Sequence, residues 1–116
     1  MAISEAYSGT NASVGVTEFS CPNNANYSAG SAITTDGVYQ VFLDVADMVA
    51  GDELRIRIYE KCRSVDTQRI IYESFIAGTM ADTWVSPSLI LLHGWDVTVT
   101  ALGGTIAVTW SIRQVA

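Results

Sequence analysis

Charge is what this chain has least of. Charged residues make up 16% of the sequence, against roughly 25% in an average soluble domain, while 49% is hydrophobic. That balance excludes an intrinsically disordered chain, which needs high charge and few apolar residues. Basic residues are the scarcest. Six Lys and Arg stand against twelve Asp and Glu, for a net charge of −6. Binding to a phosphate backbone, where cations must replace counterions, is therefore not expected.

Other shortages narrow the chemistry. One histidine, His93, and two cysteines, Cys21 and Cys62, without CxxC spacing are too few for a zinc site, which takes three or four N/S ligands. No metal and no cofactor are expected. Two buried free thiols are expected, with one disulfide as the alternative. His93 lies in Leu92-His93-Gly94-Trp95-Asp96 without a GxSxG elbow to supply a nucleophile, so it reads as a turn residue and not as a catalytic base. Asp44, Asp47, Asp52 and Glu53 crowd one stretch, but their spacing is not that of an EF-hand, so they read as solvated carboxylates around a turn. Glu18, Glu60 and Glu73 could in principle meet across strands as a hydrolytic pair, yet nothing selects two of them. No enzyme activity is expected. The opening Met1 to Thr10 has neither a basic nor an apolar stretch of the signal-peptide kind. No run approaches the roughly 20 apolar residues of a membrane span, so neither export nor membrane insertion is expected.

What is present is alternation. Leu54, Ile56 and Ile58 interleave with Arg55, Arg57 and Tyr59, a period of two that places three aliphatics on one face of a strand. Ile106, Val108, Trp110 and Ile112 repeat the pattern near the end, and Trp95, Val97, Val99 and Ala101 precede them across a Leu102-Gly103-Gly104 turn. Val14–Phe19, Gly37–Val45, Gln68–Ile76 and Trp84–Leu92 are further strand candidates. Cys21-Pro22-Asn23-Asn24-Ala25-Asn26 with Ala29-Gly30-Ser31 reads as a turn-rich loop. Asp44–Asp52 is the one place for a helical turn, crossing between sheets. With 116 residues, one domain is expected. The fold class predicted is all-β, an antiparallel β-sandwich of roughly eight strands, jelly-roll-like. Residues 1–10 form either an N-terminal arm or an edge strand.

Thr35–Leu43, Ala50-Gly51-Asp52 running into Leu54–Glu60, Val85–Trp95 and the terminal Trp110–Val115 together resemble a group of small tailed-bacteriophage virion structural proteins of the head decoration, or cement, type. The resemblance implies a jelly-roll-like domain on the capsid exterior of a virion, assembled in the host cytoplasm. It would bind the major capsid protein lattice as a homo-oligomer, with a trimer favoured, and no catalytic residues come with it. A charge-poor surface agrees, since interface centres are depleted in charge. Expected partner contacts are Ile3 and Tyr7 in the N-terminal segment, Asn23 and Asn24 in the polar loop, and Trp84. The competing reading is a carbohydrate- or receptor-binding module of a phage fibre or tail, with Trp84 as a stacking platform.

Overall fold

The computed structural model describes residues 2–29 and 32–115. Met1, Ala116 and the Gly30-Ser31 part of the polar loop lie outside them. Ten strands follow in order: β1 (Ile3–Val14), β2 (Phe19–Ser20), β3 (Ala25–Asn26), β4 (Gly37–Asp44), β5 (Glu53–Glu60), β6 (Arg69–Ala77), β7 (Trp84–Val85), β8 (Leu89–Leu91), β9 (Asp96–Gly103) and β10 (Ile106–Val115). All pairings are antiparallel. The first sheet runs β1-β10-β4, with β7 and β8 both on the far side of β4; the second runs β3-β2-β9-β5-β6. With β7 and β8 counted as one position and β3 as a two-residue addition outside β2, eight positions remain. They are distributed over the two sheets in jelly-roll order, the arrangement that a count of roughly eight strands suggested.

The alternating residues build the core. Leu54, Ile56 and Ile58 of β5 and Val97, Val99 and Ala101 of β9 are all buried, as are Ile106, Val108, Trp110 and Ile112 of β10 and Tyr39, Val41 and Leu43 of the neighbouring β4 in the other sheet. Each large aliphatic contributes roughly 1.5–3 kcal/mol on leaving water. Trp95 and Trp110 are core residues, as their phase implied.

The departures have local causes. Val14–Phe19 is not a strand. Val14 ends β1, and Gly15–Glu18 turns the chain from one sheet to the other. β1 is instead twelve residues of mostly small polar side chains, extended because β10 pairs with it from Ile3↔Val115 to Val14↔Ile106. The N-terminal segment is thus an edge strand, not a free arm. A bulge between Glu5 and Tyr7 shifts its phase, so Glu5 lies opposite Arg113 while Tyr7 lies opposite Ile112. Trp84–Leu92 is divided into β7 and β8 by the segment around Pro87, which lacks the N–H a ladder needs. Asp44–Asp52 crosses between sheets through turns, without a helix. Cys21 is buried but Cys62 is exposed, so the pair of buried thiols is corrected to one, and both are free.

Gly9 sits opposite Trp110, and a Cβ there would come within 2.7 Å of the indole Cζ2. Gly9→Ala is therefore expected to cost about 1–3 kcal/mol by overpacking, measured as a lower urea midpoint. An unchanged midpoint would show that the ring moves aside freely.

Candidate interaction surfaces

The outer face of the first sheet is organised in rows across the strands. One row is apolar: Ile3 pairs with Val115, Val115 with Val38, and Val38 with Ile90. Paired residues point to the same face, so four aliphatics form a stripe over the width of the sheet. Ile3 is 68% and Ile90 82% exposed. The next row is polar, with Glu5 opposite Arg113 and Arg113 opposite Gln40. The Arg113 guanidinium lies 3.8 Å from the centre of the Phe42 ring, and its Nε donates to Ser111 Oγ. Ser111 in turn donates to Glu5, and the hydroxyls of Ser111 and Ser8 hold the Glu5 carboxyl below its ordinary range. A groove of about 500 Å³ continues from this row between Glu5, Thr10, Phe42, Asp44, Thr109 and Arg113.

The second sheet carries a different surface. Its outward positions on β9 are Asp96, Thr98 and Thr100, all buried beneath a polar network. Glu18 Oε2 accepts from Tyr59 OH and from Thr98 Oγ1, each at 2.6 Å. Tyr27 stacks on Tyr59 with ring centres 4.8 Å apart, and its hydroxyl donates to Gln68, whose amide reaches Gly94 O. Burial and the Glu18 contact raise the Tyr59 hydroxyl to about 12. Asp96 Oδ1 accepts from Ser20 Oγ at 2.6 Å and from Val97 N at 2.8 Å, while Oδ2 is buried without a hydrogen-bond partner. Burial raises this carboxyl to about 6, against the two hydrogen bonds that lower it. Burial also drives the Cys21 thiol far above its ordinary value, with nearby Asp96 adding to the effect, which leaves it inert as a nucleophile. The network binds loops together. Glu60 works similarly at the same end, accepting from Leu92 N and His93 N.

Of the residues expected to touch partners, Ile3 alone lies in the apolar stripe. Tyr7 is half-buried against the core, its ring edge-on to Trp95 at 5.7 Å. Asn23 donates to Ser20 Oγ, and Asn24 takes the left-handed conformation, φ 51°, in the β2–β3 turn; both belong to the second sheet. Trp84 pairs with Leu43, whose side chain is buried, so its ring turns inward against the core beside Tyr72. Carboxylates at the β4–β5 turn cap backbone amides: Asp44 accepts from Ala46 N and Asp52 from Val49 N. Among the described residues, no three His, Cys, Asp or Glu are grouped to hold a metal ion, and no helix is long and apolar enough to cross a membrane. Sequence reasoning missed the stripe, since its four members come from four separate strands.

No family model matches the chain, and no curated protein matches it. Among solved structures, the chain is similar to a protein of the Bacillus endospore appendages, which form a family of disulfide-linked pili. The identity is 14% and the TM-score 0.43, with 97% of this chain and 87% of that one covered.

Proposed function

We propose that this protein is a structural virion subunit that binds the outer shell of a bacteriophage capsid as a symmetric homo-oligomer and braces the shell lattice. The observation that carries this reading is the solvent-facing stripe Ile3–Val115–Val38–Ile90, set on a rigid sheet. It has elements of a docking patch: a row of aliphatics flanked on one side by the polar row Glu5, Arg113 and Gln40. Exposed apolar area of this kind marks interaction sites more often than single exposed side chains do. The sequence resemblance supports the identity of the shell as partner. A repeating lattice multiplies a modest contact, since one oligomer engages several sites at once. The inward turn of the half-buried Trp84 favours the shell reading over sugar stacking, which needs an open ring face.

The test is sedimentation of purified protein with capsids stripped of decoration. Wild type is expected to saturate the shells. Ile90→Lys, at a position 82% exposed and so without cost to the fold, is expected to weaken binding at least tenfold. Wild type left in the supernatant would overturn the proposal.

A further inference from the structure

A β-sandwich with two open sheets has four edges, and each is a row of unpaired backbone N–H and C=O groups that can template another strand. Three of the four are blunted here. The β1 edge is interrupted by two bulges, at Glu5/Tyr7 and Asn11/Val14. The edge beside β4 is formed by pieces of two and three residues separated by the segment around Pro87, and the β3 edge is two residues long. The fourth, β6, has one bulge, at Ile71 near its start, and pairs without interruption from Tyr72 to Ala77. It runs nine residues, Arg69–Ala77, without proline or lysine. Its exposed side chains include Ile70, Ile71 and Phe75 at 44%, 47% and 54%. Past its start, Val65 is 82% exposed and lines with Ile70 and Ile71 a groove of about 620 Å³. Long, apolar and unprotected edges associate.

Charge indicates with what. Residues 53–77 hold five basic residues (Arg55, Arg57, Lys61, Arg63, Arg69) and four acidic ones, whereas the rest of the chain holds one basic and eight acidic. β5, β6 and their connection are thus the near-neutral region of an acidic molecule. Two copies can approach there without the repulsion that separates them elsewhere. The one acidic side chain within β6, Glu73, is already bridged to Arg57 at 2.6 Å. We infer that the β6 edge takes the β6 edge of a second copy of this chain, antiparallel across a two-fold axis, joining two five-stranded sheets into one of ten.

The axis passes through Ser74. On Glu73 it would set two carboxylates directly opposite one another, which is unfavourable. On Ser74 it places Phe75 opposite Glu73, with Tyr72 facing Ile76 on the inner side, and leaves the bulged Ile71 at the end of the contact. Such a contact is isologous and closes at two copies, so the oligomer is built from dimers, in place of the trimer favoured by sequence. This inference deepens the proposed function by naming the self-contact, and it rests on that reading for the contact's purpose.

The test is light scattering coupled to size exclusion, on the full chain at tens of micromolar. Twice the 12.5 kDa of one chain is expected for wild type, and the single-chain mass for Phe75→Lys and for Ile71→Lys, each with unchanged circular dichroism. A monomeric or trimeric wild type overturns the inference, as does a dimer that survives both substitutions. Should a variant fold poorly, amide exchange of wild type decides: protection of residues 71–77 that rises with protein concentration supports the edge contact, and protection independent of concentration overturns it. A monomer that still saturates stripped shells removes this inference alone. A dimer that ignores them removes the shell reading alone.

Discussion

Trp95→Ala is expected to remove a large share of the stability of the fold. The indole is fully buried, 4.5 Å from the Tyr39 ring and 5.7 Å from the Tyr7 ring. It thus ties β1 and β4 of one sheet to the loop that starts β9 of the other. Truncating a core tryptophan costs about 3–5 kcal/mol in lost transfer energy and cavity, against a total of about 5–15 kcal/mol for a domain. For a chain of this size that corresponds to a fall in Tm on the order of 15 °C, read by calorimetry. A milder pair isolates the polar contribution. Trp95 Nε1 donates to Thr35 O at 3.0 Å, an oxygen that also accepts from Tyr39 OH, whereas Trp110 Nε1 is buried with no hydrogen-bond partner. Trp95→Phe therefore gives up a hydrogen bond worth about 0.5–1.5 kcal/mol, and Trp110→Phe gives up none. Trp95→Phe is expected to be the more destabilising of the two. The reverse order would mean that ring volume outweighs the N–H.

The phase of Trp95 and Trp110 within alternating strands marks them as core residues, which shows where fold information lies in this chain. β5, β9 and β10 alternate strictly, so their type, register parity and core-facing residues follow from period two alone, whereas the burial of Tyr59, Asp96, Thr98 and Thr100 on the other face does not. β1 carries no such signal, since Ser, Gly, Thr and Asn occupy most of it. Its conformation is imposed by the β10 ladder, a tertiary effect that local propensity does not contain. The inward turn of Trp84 follows from its pairing with Leu43, forty-one positions away. The same distance hid the interaction surfaces. The stripe draws on β1, β10, β4 and β8, and the exposed status of β6 depends on sheet order, which periodicity does not encode. A strand at Gln68–Ile76 was legible; that it is an edge was not.

Asp96 is the other residue whose meaning only the fold discloses, and it predicts an unusual pH profile. Its carboxyl titrates near 6 in the folded protein against an ordinary 3.8, because burial penalises the anion more than Ser20 and Val97 stabilise it. Between those two values the folded state binds more protons than the unfolded state, so stability falls as pH rises through the window and levels off above pH 6. At about 1.36 kcal/mol per pH unit, the full loss is at most about 3 kcal/mol. Asp96→Asn keeps an oxygen for Ser20 Oγ and Val97 N but carries no charge to bury. The variant is therefore expected to lack this slope. Exposed carboxyls lowered by their partners, such as Asp66 beside Arg63, contribute the opposite slope at lower pH in both proteins and cancel in the difference. Urea unfolding of the two proteins at half-unit steps from pH 4 to pH 7 gives that difference directly. It should shift in favour of the variant by up to about 3 kcal/mol as pH rises to 6, and then stay constant. A difference independent of pH would place the Asp96 carboxyl at its ordinary value and show that water reaches Oδ2, leaving the Glu18–Thr98–Tyr59 network, not a buried neutral acid, to hold the loops over β9.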